Sequence, residues 1–134
     1  MSELATGEAS EGSRGRRASG AQRDVLTMVL DGEIGLSEIG DVSDMLFHLT
    51  LDGVNRLVLD LSGVTHFDFR GVKHLMRHAE SYRLLGGDLK LAGLSPYLFA
   101  IFRSAGAHDA FDYYAAAAAA RAAFEPLTLA ARAG

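Results

Sequence analysis

The apolar positions follow two different periods along the chain, and its central stretch contains both. Residues 57–61 form a nearly unbroken apolar run, which is typical of a parallel strand buried on both faces. Ser62 and Gly63 interrupt the run, and Asp68 is a candidate N-cap. From Gly71 the apolar positions recur at helical spacing, at Val72, Leu75, Met76 and Ala79. The centre of the chain is therefore predicted to be a strand, a short loop and a helix.

Similar changes of period predict three more strands and three more helices. Further strands are predicted at 24–30, 88–92 and 111–114, and further helices from about 37 or 41 to 52, at 97–104 and at 115–124, while the helix from Gly71 runs to about 85. Turn signals at Asp31-Gly32-Glu33 and Gly86-Gly87 separate the elements. Alternating strands and helices predict an α/β domain with parallel strands and right-handed crossovers.

Composition restricts the class of protein. The 134 residues suffice for one domain, and the net charge of −4 argues against a nucleic-acid-binding protein. With no cysteine, disulfides and thiolate chemistry are excluded. Neither a secretory signal nor a membrane-spanning run is seen in the sequence, which favours the cytoplasm. We predict a disordered arm at 1–22, a folded domain at 23–124 and a tail at 125–134.

No catalytic motif is found in the sequence. The glycines form neither a dinucleotide-binding nor a P-loop pattern, and no serine has the nucleophile-elbow context. His74 and His78 lie four residues apart, but no HExxH pattern or third ligand accompanies them. We predict no metal, no cofactor and no enzymatic activity. A polar pocket around His66, Asp68 and His74 would instead favour an enzyme.

The helix after Asp68 carries a basic face formed by Arg70, Lys73, His74 and Arg77. This basic face is either a solvated amphipathic surface or a partner-binding surface. The charge of Arg70 opposes the dipole at the helix N-terminus, which favours a contact with an anionic group on a partner. The predicted partner-binding site consists of Asp68, Phe69, Arg70, Lys73, His74 and Arg77.

A second candidate interface lies on the helix that Ser95 and Pro96 begin. Its residues 97–102 are apolar on every side, so the helix is either buried on several sides or contacts a partner. The residues predicted to face inward are Leu98, Ile101 and Phe102. Tyr97 and Phe99 are the candidates for an exposed contact.

These features together resemble the STAS domain, the fold of anti-sigma-factor antagonists and of the cytoplasmic ends of sulphate transporters. The resemblance covers about residues 24–123. It rests on short marks in a characteristic order: Asp31-Gly32-Glu33-Ile34, residues 57–63, Phe67-Asp68, Gly71, Gly86-Gly87, Ser95-Pro96, Gly106 and Phe111. It implies a small, mixed and mostly parallel sheet of four to five strands with about four helices packed on one side. It also implies function through protein–protein contact.

One departure from the family pattern concerns the site. Antagonists of this family carry Asp-Ser-Ser-Gly or Asp-Ser-Thr-Gly before the helix, and a partner kinase phosphorylates the third residue. Here the stretch is Asp68-Phe69-Arg70-Gly71, and arginine has no hydroxyl to phosphorylate. Ser62 or Thr65 would be a shifted acceptor.

The leading hypothesis is a regulatory module that binds an anti-sigma factor or related kinase without phosphorylation at residue 70. The alternative is a structural STAS subunit of a larger assembly, including a homo-oligomer, or a STAS partner of a transporter ATPase.

Overall fold

The structure, a computed structural model, describes residues 24–124 of the chain. The predicted arm at 1–22 and the predicted tail at 125–134 lie outside the described residues. The elements, in chain order, are β1 (Leu26–Ile34), α1 (Leu36–Leu51), β2 (Arg56–Phe67), a 3-10 turn (Phe69–Gly71), α2 (Val72–Leu84), β3 (Asp88–Ala92), α3 (Pro96–Ser104), β4 (Tyr113–Tyr114) and α4 (Ala117–Ala122). The predicted α/β class and the predicted order of elements are confirmed.

The four described strands form one sheet in the order β1-β2-β3-β4, and every neighbouring pair is parallel. Parallel neighbours need a crossover connection, and α1, α2 and α3 each lie between consecutive strands of the sheet. The inner strands supply the centre of the core, with fully buried side chains at Leu57, Leu59, Leu61, Leu89 and Leu91. None of the described helices has the length and apolar character needed to cross a membrane.

The last helix packs on the opposite face of the sheet, which corrects one detail of the expected fold. Side chains of α1, α2 and α3 share a core with Leu57 and Leu59, whereas Ala120 and Phe124 pack with Val58 and Ala92. Neighbouring residues of a strand point to opposite faces, so the apolar run of β2 exposes an apolar back face unless a helix covers it. The expectation that all helices pack on one side is therefore wrong for α4.

Strands β1 and β2 are longer than their turn signals predicted. The glycine-containing stretches at 31–33 and 62–63 lie inside the strands, where the register shifts between Val29 and Asp31 and between Gly32 and Glu33. These irregularities are β-bulges, at which glycine is common. A Cβ added at Gly63 would lie 3.0 Å from the Cβ of Asp31, so the missing side chain permits the close pairing. The predicted strand ends at 30 and 61 are wrong because bulges resemble turns in sequence.

Candidate functional site

The candidate site is the loop between β2 and α2, at the carboxyl edge of the sheet. The backbone N–H of Asp68 donates to the carbonyl oxygen of Ile34 at 2.9 Å, so the loop lies level with the end of β1. One carboxylate oxygen of Asp68 accepts the backbone N–H of Arg70 at 2.8 Å. Asp68 is thus an N-cap, as predicted, although it caps the 3-10 turn, and Gly71 holds the N-cap position of α2.

Arg70 folds back onto Asp68 in a two-point ion pair. Its Nε lies 3.1 Å from Oδ1 of Asp68, and its Nη2 lies 2.9 Å from Oδ2. The Arg70 side chain remains 68% exposed. The carboxylate of Asp68 thus neutralises the charge of Arg70, for which the sequence had predicted an anionic group on a partner. This ion pair within the loop compensates the unfavourable position of the Arg70 charge at the helix N-terminus.

The same fork changes the ionisation of both groups. Hydrogen bonds from the side chain and the backbone of Arg70 hold the pKa of Asp68 below its ordinary value, and the pKa of Arg70 is raised by its hydrogen bond to Asp68. A lowered carboxyl pKa means that the fork is intact above pH 3.8 and is lost as the pH falls through the lower folded value.

We expect Arg70→Ser to raise the pKa of Asp68 toward its ordinary value of 3.8, because only the backbone N–H still donates to the carboxylate. Titration of the Asp68 carboxyl carbon by NMR measures the shift directly. Arg103→Ser, on α3, is the matched control and should leave the Asp68 titration unchanged. An Asp68 pKa that is the same in wild type and Arg70→Ser would contradict the fork.

Gly71 fixes the loop against α1. A Cβ added at Gly71 would lie 1.8 Å from Cδ1 and 2.7 Å from Cγ1 of Ile39, which is buried. Only glycine lets the turn approach α1 this closely. Because Gly71 packs the turn against α1, Phe69 lies on the outer side of the turn with 52% of its surface exposed. The loop therefore offers an apolar ring and a paired arginine on a fixed support.

The structure brings the predicted partner-binding residues together on one continuous surface. Lys73, His74 and Arg77 are exposed on the first two turns of α2, directly after the Asp68 loop. The opposite side of α2 is buried in the core through Val72, Leu75, Ala79 and Tyr82. His78, which the sequence had paired with His74, is half-buried, and burial followed by the charge of His74 lowers its pKa. Whether this surface binds a partner stays a prediction.

The second candidate interface divides into an exposed and a packed residue. Tyr97 is 54% exposed, and its hydroxyl lies 2.7 Å from Nδ1 of His66 on β2. Phe99 is half-buried, with its ring edge-on to Tyr113 at 5.0 Å and beneath the Arg103 guanidinium at 5.4 Å. The expected exposure is thus confirmed for Tyr97 and wrong for Phe99. Phe99 covers the short β4 strand, which a helical wheel does not reveal.

The His66–Tyr97 contact is the feature of the site region that sequence reasoning missed. The two residues lie 31 positions apart, and His66 was considered only as part of a polar pocket. Continuation of β2 through the bulges carries His66 to the start of α3. With Tyr97 bound to His66 and Arg70 bound to Asp68, two of the three polar groups of the suggested pocket have partners, and the third, His74, is exposed on α2. Ser62 and Thr65, the shifted candidate acceptors, are exposed on β2.

Comparison with protein families gives one match, in which the model described as "STAS domain" covers residues 19–120. Comparison with curated proteins gives no match.

Solved structures with the same fold include an anti-sigma factor antagonist and proteins of anion transport. The unphosphorylated anti-sigma factor antagonist SpoIIAA is 16% identical with a TM-score of 0.57, and the match covers 71% of this chain and 82% of SpoIIAA. The SulP transporter STAS domain from Vibrio cholerae is 17% identical with a TM-score of 0.62, covering 80% of this chain and 86% of that domain. The murine anion transporter Slc26a9 is 16% identical with a TM-score of 0.64, covering 75% of this chain but only 18% of the transporter. At these identities the matches establish a shared fold.

Proposed function

Because the chain belongs to the STAS domain family, we propose that it is a non-catalytic regulatory module that binds a protein partner through the Asp68 loop and the basic face. The partner class is an anti-sigma factor or a related kinase, by analogy with the antagonist SpoIIAA, whose fold it shares. We expect it to act in the cytoplasm. The proposal concerns contact between proteins and involves no reaction at the site.

The single observation that carries this proposal is the fork between Arg70 and Asp68. In the family pattern, the residue at position 70 carries the hydroxyl group that a kinase phosphorylates. Here a guanidinium closes over the capping carboxylate, so a kinase partner could bind the loop but could not end the contact by phosphorylating it. The module would then remain competent for binding wherever its partner is active.

The chemistry of the surface indicates the kind of partner. Phe69 offers an exposed ring, and the exposed cations of Lys73 and Arg77 follow it four and eight residues along the chain. An exposed aromatic ring is a good anchor when it enters a pocket on a partner, and surrounding charges select partners of opposite sign. A partner with an apolar pocket bordered by acidic residues fits this surface.

The test uses tagged protein to capture partners from native lysate, comparing wild type with Phe69→Ala. We expect an anti-sigma factor or related kinase with the wild type, reduced at least about tenfold by Phe69→Ala. Val29→Ala is the control, because Val29 is a similarly exposed apolar residue on β1, 65% accessible and outside the proposed surface. Equal recovery of the partner with Phe69→Ala and wild type would contradict the proposed site.

A kinase assay separates this proposal from an ordinary phosphorylation switch. Incubated with ATP and the captured kinase, the wild-type protein should remain unmodified, because residue 70 has no hydroxyl. Arg70→Ser restores the acceptor of the family pattern and should gain phosphate at residue 70. Phosphate found on Thr65 or Ser62 of the wild type would show that the switch has moved, and would overturn phosphorylation-independent binding.

The second candidate function is a structural STAS subunit, favoured by the exposed ring of Tyr97 on α3. The transporter structures that match also have this fold, just as the antagonist has. In this case capture would recover a transporter ATPase or another STAS chain, and recovery would depend on Tyr97 and not on Phe69.

A further inference from the structure

The neighbouring helices α1 and α2 each carry a charged residue followed by an exposed leucine at the same spacing, and the two charges have opposite signs. On α1, Asp44 is followed seven residues later by Leu51, and on α2, Arg77 is followed seven residues later by Leu84. Seven residues are close to two helical turns, so each charge shares an outward stripe with its leucine. The leucines are strongly exposed, at 67% for Leu51 and 88% for Leu84.

The two patterns also lie at the same height along the helices. Both helices run from the carboxyl edge of the sheet back to its amino edge, because each connects parallel strands. The hydrogen bond between Ile34 and Asp68 sets a common level. Asp44 lies eight residues after Leu36, where α1 begins, and Arg77 lies eight residues after Phe69, where the 3-10 turn begins. The steeper rise of the 3-10 turn leaves a mismatch of about 1.5 Å.

The helices that carry these stripes are direct neighbours on one face of the sheet. The buried hydroxyl of Tyr82 on α2 donates to the carbonyl oxygen of Leu46 on α1 at 3.0 Å. Their outer faces therefore form one continuous layer, here called the α1–α2 face and defined by Asp44, Leu51, Arg77 and Leu84. Within residues 24–124, neither Asp44 nor Arg77 has an ion-pair partner.

We propose that a second copy of this chain docks on the α1–α2 face around a two-fold axis parallel to the helices. Such an axis keeps the helix direction and places α1 of one copy on α2 of the other. At the upper level Asp44 then meets Arg77 of the second copy, and at the lower level Leu51 meets Leu84 of the second copy. A two-fold axis that lies in the layer at right angles to the helices would instead stack each helix on its own copy in the reverse direction and set each charge against a leucine. Charge complementarity therefore selects both the occupant and the axis.

This inference goes beyond the proposed function and limits it. Arg77 belongs to the basic face, so the dimer and the complex with a partner exclude each other. The dimer is measured on the purified protein alone. Its failure would therefore leave the proposed partner binding untouched, and the reverse also holds.

The decisive experiment is a charge-reversal pair, read by sedimentation velocity at equal concentrations. Asp44→Lys alone faces the unchanged Arg77 of the second copy, and Arg77→Glu alone faces its unchanged Asp44. Each single variant should therefore dimerise at least about tenfold more weakly than wild type, because like charges meet twice per dimer. Mixed together, the two variants restore opposite charges at both contacts and should form a heterodimer of near wild-type affinity.

A mixture that stays as weakly associated as its components would overturn the proposal, as would a wild-type protein that is monomeric at about 0.5 mM. Leu84→Glu should weaken the dimer in every combination, including the mixture. Val29→Glu changes a comparably exposed apolar residue on the other side of the molecule and should have no effect. Recovery on mixing also shows that neither single variant is simply unfolded.

Discussion

Replacing Gly87 by alanine is expected to destabilise the protein by about 3 kcal/mol. A Cβ at this position would lie 1.6 Å from the carbonyl oxygen of Asn55 and 2.4 Å from its carbonyl carbon. These are backbone atoms and cannot move aside as a flexible side chain would. The Asn55 oxygen also accepts the N–H of Asp88 at 2.9 Å, where β3 begins beside β2. Any shift that relieves the clash therefore weakens the pairing of the two central strands.

The matched control is Gly40→Ala, in the second turn of α1. A Cβ there would meet nothing within 4 Å, and alanine in an exposed helix interior is favoured over glycine by roughly 0.5–1 kcal/mol. Urea unfolding of the two variants should therefore show changes of opposite sign. A Gly87→Ala protein within about 1 kcal/mol of wild type would mean that the β3 start can yield, against the ordinary cost of overpacking.

These two glycines illustrate how far sequence predicts this fold. The apolar run of 57–61 and the helical spacing after Gly71 were sufficient for β2, α2 and the α/β class. Gly86-Gly87 was correctly taken as the end of α2, which closes at Leu84. Local sequence patterns could not predict the close approach of Gly87 to Asn55, because the two residues are 32 positions apart in the chain. The same limit applies to the placement of α4 on the back face of the sheet.

The candidate site was predictable to the extent that its physics is local. Asp68 as an N-cap follows from residue type and position and is confirmed. The fork with Arg70 is equally local, two residues along the chain, but sequence reasoning weighed Arg70 against the helix dipole without its neighbour. The His66–Tyr97 contact depends on how far β2 continues beyond its bulges, and no local pattern specifies that distance.

The most buried charge in the described structure was not anticipated by any sequence motif. Lys90, in the middle of β3, is only 7% exposed, on the face that α4 covers. Its ammonium lies 3.0 Å from a carboxylate oxygen of Asp88, 3.0 Å from one of Asp112, and 4.7 Å from the centre of the Phe124 ring. Burial works to lower the pKa of Lys90, but the two carboxylates outweigh it, and the pKa is raised above 10.5.

Asp88 is the centre of this charged cluster. Besides Lys90, its carboxylate accepts Nε of Arg83 at 2.8 Å and the backbone N–H of Leu89 at 2.9 Å. Its side chain is 17% exposed, against 61% for Asp112. The two aspartates thus contact the same ammonium at the same distance but differ in burial. Asp88 also has its hydrogen bonds to Arg83 and Leu89, so the two aspartates compare a buried, multiply bonded carboxylate with an exposed one.

We expect Asp88→Ala to lower the free energy of unfolding by about 2–4 kcal/mol, because Lys90 would keep its charge in a buried position with one partner fewer. Asp112→Ala should cost about 1 kcal/mol or less, since water screens the exposed carboxylate. Urea unfolding at pH 7 measures both. Because the pKa of Lys90 is raised, its contribution is complete below pH 10.5 and is lost as the pH rises through the folded value. The difference between Asp88→Ala and wild type should therefore shrink in strong alkali. Equal losses for the two variants at pH 7 would show that neither the burial of Asp88 nor its further hydrogen bonds to Arg83 and Leu89 add to stability.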